Sequence, residues 1–199
     1  MNIVKDTITA DMIDILKSII GKRLISYDIN PWADIKDESL YSVILNCDSE
    51  RIELFADVDY YEILSGDEYA FFEIHKTSDT GFDKYKVSDN LKAILVNQKI
   101  EDIRILTDYY HCTNKDENLD DLFVQDYAIV IVLENKQICF EHLSMFMEFI
   151  YITEHDKSKE ISFYDNSDNF NGEPEKEGGK FLYHTERSRE YKSVMDIHR

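Results

Sequence analysis

Two short His–Cys groups are the residues of this sequence that come nearest to a metal site. His111 is followed directly by Cys112, and Cys139 lies three positions before His142. Two histidines and two cysteines are enough for a tetrahedral zinc site. On an extended strand, however, adjacent residues and residues three apart point to opposite faces. The spacing therefore argues against four convergent ligands, and we expect no metal site.

A second grouping has the spacing of the first ligands of a calcium loop. It is Asp116-x-Asn118-x-Asp120, which supplies oxygen donors at alternate positions. The sixth position of such a loop is a glycine and the twelfth a bidentate glutamate. Here these positions hold Asp121 and Tyr127, so the pattern fails at the turn and at the main ligand. We expect a solvated acidic loop.

Motifs for catalysis or cofactor binding are not found in the sequence. There is no Gly-x-Ser-x-Gly nucleophile elbow. The glycine patterns that hold phosphates or dinucleotides are missing as well, and the chain has 6 glycines in all. Nothing selects a catalytic pair among the 41 Asp and Glu residues. We therefore expect no cofactor and favour a protein that is not an enzyme.

Tyrosines next to carboxylates are better suited to binding a basic protein. Aromatic rings bury a large area in an interface, and carboxylates pair with Arg and Lys. Such residues occur at 57–61 and in the acidic stretch 109–126. The candidate contact residues are Asp57, Asp59, Tyr60, Tyr61, Tyr109, Tyr110, Asp116, Glu117, Asp120, Asp121 and Asp126. The alternative is that these rings cover sheet edges or the core.

The charge of the chain narrows the classes of partner. Its 199 residues hold 41 acidic and 22 basic side chains, a net charge of −19, yet 43% are hydrophobic. This composition predicts a folded protein with a negative surface. Such a surface repels nucleic acid and anionic membranes and attracts basic proteins. The start lacks a secretory signal and no run is long enough to span a membrane; we expect a cytoplasmic protein.

The first element indicated by periodicity is a helix over residues 8–20. Its apolar face consists of Ile8, Met12, Ile15, Leu16, Ile19 and Ile20. Thr7 or Thr9 can cap its start, and Gly21 stands where a left-handed residue ends many helices. The run 128–133 is apolar at every position, which predicts a strand covered on both faces.

The order of elements in the two halves of the chain suggests an internal duplication. A second short helix is expected from Ser88, with Leu91, Ile94 and Leu95 inward and Asn97 in the place of Gly21. The paired strands would be 22–29 with 98–105, 41–47 with 127–133, 51–54 with 137–140, and 69–74 with 146–152. The extra residues of the second half would form a polar insertion at 109–125. The alternative is that two αβββ segments resemble each other only loosely.

These patterns predict an α+β fold of mainly antiparallel β-sheets with few helices. Residues 1–87 and 88–160 would form two packed αβββ units, followed by a polar linker and tail at 161–199. The last twenty residues hold five Lys or Arg and three Asp or Glu. A basic tail on an acidic body is expected to dock on that body or to stay mobile. The alternative is a dedicated binding segment.

The function expected from the sequence is that of an acidic protein-binding module. In its concrete form it is an inhibitor or immunity-type protein that occludes a basic, nucleic-acid-processing partner. One alternative is a domain that binds a small ligand or metal ion between the two repeat units. Another is a structural or assembly component whose acidity serves solubility.

Overall fold

The computed structural model of the protein describes residues 2–29, 42–60, 68–77, 92–114, 119–144, 147–163 and 184–198. In these ranges the chain is mainly antiparallel β-sheet with a single α-helix, which confirms the mainly β class with few helices. The elements are β1 (Asn2–Asp6), α1 (Ala10–Ile19), β2 (Arg23–Ile29), β3 (Ser42–Cys47), β4 (Glu50–Tyr60), β5 (Glu68–Lys76), β6 (Lys92–Asn114), β7 (Leu119–Leu133), β8 (Lys136–Ser144), β9 (Met147–Asp156), β10 (His184–Ser193) and a 3-10 turn (Val194–Asp196).

Helix α1 begins after Thr9, one of the two predicted caps, and ends shortly before Gly21. The Thr9 side chain accepts a hydrogen bond from the backbone N–H of Met12, which caps the first turn. Gly21 follows the helix with a φ of 86°, the left-handed conformation that glycine adopts without strain. The buried residues of the helix are Ile13, Leu16 and Ile19. Ile13 was not among the predicted core positions, whereas Ile8 is buried just before the helix begins.

The strands follow the order β5-β4-β3-β2-β6-β7-β8-β9, with β1 added to β7 and β10 added to β6. β6 belongs to two layers: residues 92–99 pair with β2, and residues 100–114 pair with β7. Near the end of the first part, Asn97 has a φ of 52°. A strand that bends in this way can pass from one sheet to another and join two packed layers.

The two layers enclose one apolar core. Leu24, Leu45 and Leu54 of the first layer lie in the same cluster as Ile105 and Ile131 of the second. Strands β4 and β5 contact β9 across the layers, and α1 covers part of the same cluster. Both halves of the sequence therefore contribute to one core, and the unit boundaries expected at 87/88 and 160/161 stay a prediction.

The run 128–133 is covered on both faces, as predicted. Ile129, Ile131 and Leu133 lie in the core between the layers. On the other face Val130 and Val132 pack in a second cluster together with Ile161. The segment after β9 therefore covers the outer face of the second layer.

The prediction of a second helix is wrong for the residues that the structure describes. Residues 92–96 form the start of β6 and pair with β2, and Leu95 is 79% exposed. The helical spacing of Ile94 and Leu95 is overridden by the edge of β2, which supplies hydrogen bonds to an extended chain. Residues 88–91 lie outside the described residues. Asn97 does have the predicted left-handed conformation, but at the bend of a strand. The duplication is not shown.

The described part of the expected polar insertion at 109–125 forms strands and not a loop. Residues 109–114 continue β6 and residues 119–125 begin β7, so these strands form one long antiparallel hairpin. Its register is Tyr110 opposite Phe123 and Asn114 opposite Leu119. Polar composition indicated a loop, but flanking strands cover this hairpin and supply partners for its polar groups.

Both ends of the described chain add strands to this hairpin. β1 was not predicted, and it runs parallel to β7 with Asn2 opposite Asp121 and Asp6 opposite Gln125. β10 pairs with β6 from His184, opposite Thr113, to Ser193, opposite Arg104. The C-terminal tail therefore docks on the body of the protein over these residues.

Candidate functional site

The two ends of the layered sheet differ in how they are built. At the end that we call the turn end, backbone hydrogen bonds join successive turns: Gly21 donates to Ile100, and Asp48 donates to Arg23. The opposite end, called the hairpin end, contains the pair Tyr60–Glu68 and the pair Asn114–Leu119. The two acidic segments predicted to bind a partner, 57–61 and 109–126, extend to the hairpin end.

A hydrogen bond between the layers joins the strands that carry these two segments. The side-chain amide of Gln125, on β7, donates to the backbone carbonyl of Ala70, on β5, at 2.5 Å. Ala70 is paired with Val58, which lies between Asp57 and Asp59 on β4. The strand that carries Asp57 and Asp59 is therefore next to a strand that contacts β7 across the layers.

The predicted contact residues are in different environments. Tyr110, Asp121 and Asp126 are 0%, 3% and 1% exposed, so their side chains are part of the interior rather than of the surface. Tyr109 is half-buried and its hydroxyl donates to Glu190 at 3.0 Å. Asp120 is exposed and lies 2.7 Å from His111.

The other predicted contact residues belong to segment 57–61 and to the tip of the β6–β7 hairpin. Asp57 is half-buried on β4. Asp59 and Tyr60 are also on β4 by their backbone. Tyr61, Asp116 and Glu117 lie outside the described residues.

Lysines at the turn end neutralise the carboxylates there. The pairs are Lys22–Glu50, Lys76–Glu50, Lys136–Glu154, Lys157–Glu101 and Lys159–Asp156. The hydrogen bonds from Lys22 and Lys76 lower the pKa of Glu50 to about 2. Other turn-end carboxylates accept backbone N–H groups, as Asp48 does from Arg23 and Glu134 from Lys99. These carboxylates of the turn end are therefore engaged within the protein.

A buried ionic cluster lies beneath the hairpin. Asp108 is 0% exposed and accepts hydrogen bonds from Arg187 at 2.5 Å, from Arg189 at 2.8 Å and from the hydroxyl of Tyr110 at 2.9 Å. The guanidinium of Arg187 lies over the ring of Tyr110, and that of Arg189 lies over the ring of Tyr127. Two basic residues of β10 therefore neutralise a carboxylate that sequence analysis did not single out.

The β6–β7 register explains how Tyr127 reaches this cluster. Leu106 pairs with Ala128 and Thr107 pairs with Asp126, so Tyr127 is an extra residue on β7. Such a bulge redirects a side chain. Burial, followed by the nearby charge of Glu141, raises the pKa of Tyr127 well above its ordinary value. Tyr127 therefore stays a neutral phenol inside the protein.

Asp126 joins the hairpin to the start of the helix. One of its carboxylate oxygens accepts the backbone N–H of Ile8 at 2.8 Å, and the other accepts the hydroxyl of Thr107 at 2.6 Å. This carboxylate and that of Asp108 are closed off from solvent and occupied by donors of the protein itself. Their arrangement stabilises the hairpin and leaves no open carboxylate pair for acid–base chemistry at these two positions.

His142, one of the candidate zinc ligands of the sequence, is a second buried group. It is 0% exposed on β8, and its ring lies 4.0 Å from the ring of Phe72 at an interplanar angle of 31°. Within the part of the chain that the structure describes, both ring nitrogens are without a hydrogen-bond partner. Burial lowers the pKa of His142 to about 3. The alternation Ile138, Phe140, His142 on β8 was the available sign that this side chain faces inward.

The His–Cys groups of the sequence are not gathered into a site. His111 pairs with Asp120, whereas Cys112, Cys139 and His142 are buried. Burial raises the pKa of the Cys139 thiol well above its ordinary value, which disfavours the thiolate that a metal needs. Among the described residues, no three or more His, Cys, Asp or Glu side chains are arranged to hold a metal ion.

Comparisons with known proteins do not assign this chain to a family. No protein-family model matches the chain, and neither the curated proteins nor the solved structures gave a significant match. No helix in the described ranges is long and apolar enough to cross a membrane.

Proposed function

We propose that this protein is an acidic protein-binding module whose hairpin end binds and occludes a basic partner, such as a nucleic-acid-processing enzyme or toxin. The observation that carries the proposal is that neutralised carboxylates are found at the turn end, although the chain has a large negative charge. At the turn end, lysines engage Glu50, Glu101, Glu154 and Asp156, while the chain as a whole has a net charge of −19. The carboxylate of Asp120, which is exposed at the hairpin end, contacts His111.

Support also comes from the way in which the long hairpin is held. β1 flanks β7 over residues 121–125, and β10 flanks β6 over residues 104–113. Asp126 and Gln125 tie the hairpin to Ile8 and to Ala70. A surface that is ordered before binding loses less conformational entropy when the partner arrives. The described strands of the hairpin, 104–114 and 119–126, are therefore held in place before a partner binds.

The expected mode of action is occlusion after electrostatic steering. A negative surface attracts a basic partner over about 10 Å at 0.1 M salt, and this raises the association rate. A protein that acts by covering its partner needs no catalytic group of its own. The buried state of Asp108 and Asp126 agrees with this, because both carboxylates serve the fold.

Affinity capture from the native lysate tests the proposal. The immobilised wild-type protein is compared with the variant D116K/E117K/D120K at the tip of the hairpin. A matched control, D14K/D156K/E160K, makes the same change in charge at exposed positions on α1 and around the turn end. We expect the wild type and the control to retain one basic protein at near one-to-one ratio. The hairpin variant should retain about tenfold less of it at low salt, because steering and contact charges are both reversed.

Circular dichroism of all three proteins checks that the substitutions leave the fold intact. The proposal is contradicted if no protein is retained at a stoichiometric ratio by the wild type. It is also contradicted if the hairpin variant and the control lose the retained protein to the same extent, since the effect would then follow total charge and not the hairpin end.

A further inference from the structure

A cavity of about 530 Å³ opens on the face of the second layer where β1, β7 and β6 run side by side. Its lining consists of Ile3, Lys5, Thr7, Tyr109, Leu122, Val124 and His198. Volumes of several hundred Å³ are typical of small-molecule sites. None of these described lining residues has a carboxylate side chain, although the chain has 41 Asp and Glu residues.

The strand register fixes how this lining is arranged. Lys5, Val124 and Tyr109 are cross-strand neighbours and form one row. Ile3 and Leu122 form the next row, two residues further along β1 and β7. Neighbouring strands lie about 4.8 Å apart and two residues span about 7 Å. The floor is therefore apolar at Ile3 and Leu122 and becomes polar towards Lys5.

Three polar side chains of the lining are available to a ligand. Within the described ranges, the side chains of Lys5, Thr7 and His198 have no hydrogen-bond or ion-pair partner in the protein. The carboxylate of Glu190 accepts a hydrogen bond from the Tyr109 hydroxyl and pairs with Lys192 at 2.5 Å. Lys5 thus offers an unneutralised ammonium group beside an apolar floor.

We propose that this cavity binds a small amphipathic carboxylate, with the carboxylate at Lys5 and Thr7 and an aliphatic chain over Ile3, Leu122 and Val124. Ile3 is 50% exposed without a ligand, and such a chain would cover it. At the apolar end, the carboxylate of Asp120 lies on the same face of β7 and contacts His111, opposite Leu122. This is the end of the cavity away from Lys5, whose ammonium group attracts the carboxylate of the ligand.

Sodium octanoate is the probe for this site, and octylamine is the control of the same length with the opposite charge. Binding is followed by methyl NMR, in which the signals of Ile3, Leu122 and Val124 report on the cavity itself. We expect saturable shifts of these methyl groups with octanoate but not with octylamine. Affinity should rise about threefold for each CH₂ from butanoate to octanoate, since each adds buried apolar area.

The variant Lys5→Met separates the ionic contact from the apolar one. Methionine keeps the length of the side chain and removes its charge, and the affinity for octanoate should fall about tenfold. Lys92→Met, at an exposed lysine of the first layer, is the matched control and should bind as the wild type does. The proposal is overturned if octanoate causes no saturable shift, if octylamine causes the same shifts, or if Lys5→Met binds octanoate unchanged.

Discussion

Replacing Asp108 by Asn is expected to destabilise the protein by about 3–5 kcal/mol, as for other buried ion pairs that lose one partner. Asn cannot neutralise the two guanidinium groups that Asp108 now binds at 2.5 Å and 2.8 Å. Arg187 and Arg189 would keep their charges in a partly buried place, where their side chains are only 15% and 30% exposed. Urea unfolding of the wild type and the variant at neutral pH measures this difference.

A combined variant tests whether this loss of stability comes from the unpaired charges of the two arginines. D108L/R187M/R189M replaces the whole ionic cluster by apolar side chains, and such replacements are often neutral or stabilising. We expect it to be more stable than Asp108→Asn, although it carries two more substitutions. A loss below about 1 kcal/mol for Asp108→Asn would show that water already screens the cluster, as it does for surface ion pairs.

Replacing His142 by Leu is expected to stabilise the protein, and to do so increasingly as the pH falls. The pKa of His142 is lowered to about 3 in the folded protein by burial, from an ordinary value of 6.5. Below pH 6.5 the imidazole of His142 therefore binds a proton in the unfolded chain but not in the folded protein. Wild-type stability falls with pH in this window by about 1.4 kcal/mol per unit for this one group. The His142→Leu variant has no titrating group at this position, so it does not lose this stability as the pH falls.

Unfolding free energies between pH 7 and pH 4 test this prediction. The difference in unfolding free energy between the His142→Leu variant and the wild type should grow steadily on acidification. His198→Leu, at an exposed histidine, is the control and should follow the wild-type profile. Equal pH profiles for the His142→Leu variant and the wild type would contradict the burial of a neutral, unpartnered imidazole against Phe72.

The local signals of the sequence were sufficient for the elements that rest on local physics. The cap at Thr9, the left-handed Gly21 and the apolar face of α1 come from interactions within a few residues. The β3–β4 hairpin likewise follows from two β-branched and aromatic runs around Asp48–Ser49. The strand at 128–133 could be recognised as doubly covered because every one of its positions is apolar.

Pairing between distant segments accounts for what the sequence did not indicate. Residues 92–96 have helical spacing but pair with β2, and β1 pairs in parallel with a strand more than a hundred positions away. Because β1 and β10 flank the hairpin, acidic residues expected on its surface, such as Asp121, are buried. The alternation of Arg187, Arg189 and Tyr191 could have indicated β10, but nothing local identified Asp108 as its partner.

The association rate of the captured basic protein, measured as a function of salt, tests the central claim most directly. The rate constant of the wild type should fall about tenfold or more between about 0.02 M and 0.2 M salt, because screening shortens the reach of the acidic surface. At low salt D116K/E117K/D120K should associate about tenfold more slowly than D14K/D156K/E160K, which has the same net charge. Equal rates for these two variants, or a wild-type rate that is independent of salt, would contradict binding through the acidic hairpin end.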